Sequence, residues 1–148
     1  MLSKPKYGWS TITIGDWNDR CSYLTDVPFQ LLEAMYRSCK NHEPAAAKLD
    51  AEGWEYTIVF DWHETHIIIE KDDYELKTIK INRDDLAKEL IEDIRTNIND
   101  WASWIDYGNM TKQVFGVRAF RLIELCNKIM KCIPSDDWKI VYCREKFQ

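Results

Sequence analysis

From Trp54 to Trp62 the chain alternates without a break: Trp54, Tyr56, Ile58, Phe60 and Trp62 occupy every second position, with Glu55, Thr57, Val59 and Asp61 between them. A period of two places one set on each side of a strand, so this segment is a strand with one aromatic face. His63-Glu-Thr-His66 then turns the chain into Ile67-Ile68-Ile69, and Lys71-Asp72-Asp73 turns it again into Tyr74 to Ile81. Connections this short join antiparallel neighbours, which gives a three-strand meander in sequence order. Any fold built on this chain must cover the apolar face of that sheet.

The flanking segments supply the cover. Tyr7 to Ile14 is rich in aromatic and β-branched residues and stops at Gly15-Asp16, the pattern of a first strand. Polar residues then fill a loop to Thr25. Asp26 is placed to cap a helix with Pro28 in its first turn, and Pro28, Leu31, Leu32, Met35 and Cys39 recur at helical spacing up to about Asn41. Ala45 to Gly53 reads as a weak extension of that helix or as a loop. After Asn82 or Asp84 as a cap, Leu86, Leu90, Ile94, Ile98, Trp101 and Ile105 mark one face of a helix of six turns that should lie on the sheet. A third helix is expected from about Lys112 to Cys132, with Val117, Phe120, Leu125 and Ile129 in its apolar face, ended by Pro134. Trp138 to Tyr142 alternates as a last strand. The order β-α-β-β-β-α-α-β is that of a single α+β domain over residues 1–148, with helices packed on one face of a mainly antiparallel sheet.

Composition removes several classes of function. At 148 residues, with 45% apolar and 30% charged residues, the chain is long enough to bury a sizeable core without staples. The start, Met1-Leu-Ser-Lys-Pro-Lys, lacks a signal-peptide apolar run, and no stretch approaches the ~18 apolar residues of a membrane span. Five cysteines form no C-x-x-C pair, which argues against a disulfide framework or structural zinc and for small buried hydrophobes in a reducing cytoplasm. Residues 50–106 carry six Lys/Arg against sixteen Asp/Glu, a net −10, while the remainder carries a net +5.

No nucleophile elbow, phosphate loop or nucleic-acid signature is present. Asp61-Trp-His63-Glu64-Thr-His66 comes nearest to a metal site, but its histidines are three apart in a hairpin turn, not four apart on a helix, so it fails the zincin spacing and reads as a solvated turn. Adjacent acids such as Asp72-Asp73, Asp84-Asp85 and Glu92-Asp93 suit turns and helix starts, and nothing marks one pair as a desolvated acid/base couple. Cys21, in the polar loop, is the one thiol whose position would allow exposure, but nothing pairs with it and a buried or incidental thiol is the better reading. Arg118, Arg121, Lys128 and Lys131 form a basic edge on the third helix, read as a solvated face because the pI is about 5.2. These readings assign no catalytic residue, no metal ligand, no cofactor and no nucleic-acid or membrane partner.

One feature is not absorbed by an ordinary core. Asp61, Trp62, Glu64, Asp72, Asp73 and Tyr74 gather carboxylates and aromatic rings around the meander, and Trp104, about 60° off the buried stripe of its helix, stands as a second aromatic anchor. Carboxylates steer association with a basic surface and aromatic rings supply hot spots once docked. With Tyr7-Gly-Trp9 leading through Gly15-Asp16 to Ser22-Tyr-Leu-Thr-Asp-Val-Pro28, this acidic, aromatic-rich chain resembles the small single-domain immunity proteins of bacterial polymorphic and contact-delivered toxin systems. That resemblance implies a role and no particular residue: stoichiometric binding of a cognate toxin, often a cationic nuclease, by occlusion and not by catalysis. Two other readings stand beside it. One is a small metal-dependent enzyme using His63, Glu64 and His66. The other is a structural or regulatory subunit that forms a homodimer through an exposed strand edge.

Overall fold

The computed structural model describes residues 1–105 and 109–134. Its elements are β1 (Trp9–Ile14), β2 (Trp17–Ser22), α1 (Val27–Asn41), β3 (Ala45–Asp50), β4 (Glu55–Phe60), β5 (Glu64–Glu70), β6 (Tyr74–Lys80), α2 (Arg83–Thr96), α3 (Ile98–Ala102) and α4 (Lys112–Cys132). The architecture is α+β with every strand pair antiparallel: β1 and β2 form a two-stranded sheet, and β3-β4-β5-β6 form a four-stranded meander in sequence order. The expected strand at Trp138–Tyr142 lies outside the described residues.

Two strands were hidden in the sequence. The segment expected as a polar loop contains β2, because Gly15 adopts φ +59° and lets a two-residue turn set Trp17 opposite Ile14. Glycine at the first central position suits such a hairpin, and here a Cβ would also meet Ile79 Cγ2 at 2.9 Å. The second is β3, which the sequence left as helix extension or loop. Its Ala45, Ala47 and Leu49 alternate inward against α1, but alanine is a poor strand former and masks the period. The meander therefore has four strands where three were expected, and β1 pairs with β2 in a separate two-stranded sheet.

The helices also depart from their stripes. The six-turn helix is broken: α2 stops at Thr96, Asn97 sits at φ −115°, ψ 37°, and α3 restarts at Ile98. The Asn97 backbone N–H still makes the helical bond to the Asp93 carbonyl, while its side-chain Nδ2 donates to the same oxygen, a local side-chain bond that competes with helix propagation. The helix that packs on β3 and β4 is α1, whereas α2 contacts α1, α3 and α4. In α4 the buried face is Leu122, Cys126 and Ile129, while Val117 and Phe120, expected inside, are exposed.

One of the two expected caps forms: Asp26 makes no side-chain cap bond to α1, whereas α2 is closed by Asn82, as expected, and α4 by Thr111, which the sequence reading did not single out. Asn82 accepts the backbone N–H groups of Asp84 and Asp85 at 2.9 and 3.1 Å, and Thr111 accepts that of Val114. Replacing Asn82 with alanine leaves both donors without their side-chain acceptor and is expected to cost about 1 kcal/mol, read as a lower urea midpoint at constant slope. The core joins all layers: Ile12, Ile14, Leu31, Met35, Tyr56, Phe60, Ile67, Leu90, Trp101 and Leu122 are fully buried in one cluster.

Candidate functional site

A meander places its turns alternately at the two ends of the sheet. The β3–β4 turn and the β5–β6 turn therefore share one end, and the β4–β5 turn lies at the other, about 20 Å away at ~3.3 Å per residue. This topology divides the predicted docking residues. Asp72, Asp73 and Tyr74 sit at the first end, and Asp61, Trp62 and Glu64 sit at the second.

At the first end the strand register builds a row. Asp50 is paired with Glu55, Glu55 with Glu70, and Glu70 with Tyr74, so three carboxylates cross three strands and end on an aromatic ring. With Asp72 and Asp73 from the turn they line an open groove of about 490 Å³ whose other walls are Gly53, Trp54 and Lys71. Lys48, next to the row, reaches Glu55 at 3.0 Å and Glu70 at 3.5 Å. Its ammonium is held above the usual lysine range, first by the hydrogen bond to Glu55 and then by the charges of Glu55 and Glu70. Asp72 and Asp73 make no ion pair among the described residues, and both are exposed. Trp54 is held between cations, with Lys71 Nζ 4.3 Å and the Arg20 guanidinium carbon 4.4 Å from its ring centroid, while its Nε1 donates to Asp19. Tyr74, 80% exposed, is the free aromatic surface of this end.

At the second end Trp62 is half exposed and stacks on both His63 and His42, with centroids 5.6 and 5.7 Å apart. The Arg83 guanidinium lies 5.6 Å from the same ring and donates to the Ser38 carbonyl below it. Asp61 accepts the Trp62 backbone N–H, and Glu64 pairs with His66 Nε2 at 3.4 Å. His66 Nδ1 meets Thr78 Oγ1 across the strands. The two histidines are thus engaged separately, and among the described residues no group of three or more His, Cys, Asp or Glu is placed to hold a metal ion.

Two expectations, on Trp104 and on the basic edge, are corrected, and the reading of Cys21 as a buried thiol holds. Trp104 is buried, donates from Nε1 to the Thr25 carbonyl and packs on Trp101 at 5.0 Å; α3 ends at Ala102, so the turn that follows, and not helical phase, places this ring inward, and it is no surface anchor. Cys21 is buried in β2, with its Sγ directed at the Ser10 carbonyl, and desolvation pushes its pKa up to about 12, so it is no reactive thiol. The basic edge is interrupted, because Arg118 grips Asp26 with two 2.9 Å hydrogen bonds and the Ala102 carbonyl with a third, bracing α4 against the start of α1 and the end of α3.

Sequence reasoning missed Asp50, Glu55, Glu70 and Trp54. The signal was available only through register: once β3 is recognised, counting back from each turn aligns the acidic residues. No protein-family model matches the chain, and neither a curated protein nor a solved structure matches it. Among the described residues no helix is long and apolar enough to cross a membrane.

Proposed function

We propose that this chain is a stoichiometric protein-binding inhibitor of the immunity type, acting in a reducing cytoplasm on a basic toxin by occluding its functional surface. The observation that carries the reading is the groove at the β3–β4 and β5–β6 end of the sheet, where Asp50, Glu55, Glu70, Asp72 and Asp73 outnumber Lys48 and Lys71 and Tyr74 projects beside them. A lysine or arginine of the partner entering the groove would meet carboxylates on several sides, and the tyrosine would supply the apolar contact that fixes it. Catalysis is not part of the proposal. The buried thiols are protonated, His63 and His66 act apart, and the carboxylates that lie closest together are bridged by Lys48.

The experiment is capture of the tagged protein from a host lysate, followed by elution through a salt gradient. A basic protein recovered at equimolar amount and released by salt supports the reading. Its toxicity should be abolished by addition of one equivalent of the chain. Recovery of the chain without such a protein, or turnover of a small substrate by the purified chain, would sink it.

A further inference from the structure

The four-stranded sheet has two edges of unlike character. The β3 edge is tied to the neighbouring hairpin: Arg20 of β2 donates to the Ala51 and Glu52 carbonyls, and Thr25 accepts the Asp50 N–H. Among the described residues the β6 edge has no such cover. From Tyr74 to Thr78 every residue is exposed, with Tyr74 at 80% and Leu76 at 66%, so the strand stands clear of the core on both faces.

The ladder fixes which groups that edge presents. Ile81 donates to His63, so in the antiparallel alternation the odd residues of β6 bond inward to β5 and the even residues, Tyr74, Leu76, Thr78 and Lys80, direct N–H and C=O outward. A strand of seven residues with no proline among Tyr74–Lys80 is a ready template for another strand. Lysines usually protect such an edge, and β6 carries Lys77 and Lys80, so the question is whether a second strand can neutralise them.

A second copy of the same strand does so in one register. With Leu76 on the two-fold axis, Leu76 faces the partner's Leu76, Tyr74 faces the partner's Thr78, and Glu75 faces the partner's Lys77. Continued outward, Asp72 faces the partner's Lys80. Glu75 and Lys77 already lie together at 3.7 Å on one face of β6, so the axis would generate an alternating quartet of two carboxylates and two ammonium groups there. On the other face the two Leu76 side chains would meet beside Ile68, which is opposite Leu76 in β5. The even pairs exchange both their N–H···O bonds, as the outward direction of those groups demands. The alternative register centred on Lys77 sets that lysine against itself, which selects the first.

We propose that β6 pairs antiparallel with β6 of a second copy across a two-fold axis at Leu76, joining the two meanders into one continuous eight-stranded sheet. The inference is independent of the inhibitor reading, since it is measured on the purified chain with no partner present.

Sedimentation equilibrium of the full chain from about 1 to 300 μM is the test. A mass rising to twice that of the chain is expected. Leu76→Pro removes an outward N–H and no bond to β5, so it should leave the thermal midpoint unchanged and abolish the dimer. Glu75→Lys sets four lysines together and should weaken association about tenfold or more, and adding Lys77→Glu should restore it. A wild-type mass that stays monomeric throughout, or a dimer untouched by Glu75→Lys, overturns the proposal whether or not the proline variant folds.

Discussion

Between pH 9 and pH 11 the fold is expected to lose stability at up to about 1.4 kcal/mol per pH unit for each buried thiol that stays protonated in the native state while ionising in the unfolded chain. Among the described residues there are three such thiols. Burial pushes Cys21 up to about 12, and Cys39 and Cys126 up to about 11, from an ordinary value of 9.0. Below pH 9 each thiol is protonated whether the chain is folded or not, and its contribution is fully present. As the pH rises past 9 the unfolded chain releases protons that the native state retains, so stability falls until the native values near 11 and 12 are reached. Tyr56 acts in the same direction above pH 10, because burial raises its phenol while the hydroxyl donates to the Arg20 carbonyl at 2.8 Å. Urea midpoints measured at pH 7, 9, 10 and 11 should fall slightly over the first interval, by the ~0.4 kcal/mol per thiol that half-ionisation of the unfolded chain removes, and steeply over the next two. Replacing Cys39 and Cys126 with alanine should flatten that drop, and a profile that stays level to pH 11 would show that these thiols are not desolvated.

What the sequence disclosed follows from how far each signal is local. The meander was legible because Tyr56, Ile58 and Phe60 alternate and the turn clusters on either side are short, so strand identity and order need no knowledge of the rest of the fold. The bounds of α1 and α4 were legible for the same reason, through Pro28 in the first turn of α1, Asn41 near its end and Pro134 just beyond α4, although the Thr111 cap was not read. Where a neighbour decides, reading failed. β3 is a strand because α1 approaches its alanines and β4 pairs with its backbone, and neither fact is written in Ala45-Ala46-Ala47. The α2–α3 break preserves the spacing of Ile94, Ile98 and Trp101, so a periodicity count runs straight through it. Trp104 was lost because α3 ends at Ala102, and the following turn places its ring. The candidate groove was half legible, since Asp72, Asp73 and Tyr74 are contiguous, whereas Asp50, Glu55 and Glu70 join them only through cross-strand register.

Charge reversal of Asp72 and Asp73 to lysine is expected to weaken partner binding about 100-fold and to reduce its dependence on salt, whereas the same change at Asp61 and Glu64 should alter affinity by less than about threefold. The two pairs differ in how many carboxylates surround them. Glu64 lies 3.4 Å from His66 Nε2 and Asp61 accepts the Trp62 backbone N–H, while Asp72 and Asp73 face solvent beside a row in which Glu55 and Glu70 share Lys48. Reversal at the groove therefore changes the field of five clustered carboxylates, and reversal at the Trp62 end changes that of two carboxylates outside the cluster. The ends stand apart by about 20 Å, beyond the ~8 Å reach of a charge in physiological salt, so the pairs report on separate surfaces. All four residues sit in turns or on exposed strand positions, and the variants should keep the urea midpoint of the parent, which separates lost binding from lost folding. If the Asp61 and Glu64 variant is the one that loses affinity, the partner docks on the Trp62, His63 and His42 stack. The acidic groove would then be a solubility feature of the sheet, and its role in holding a lysine or arginine of the partner would have to be abandoned.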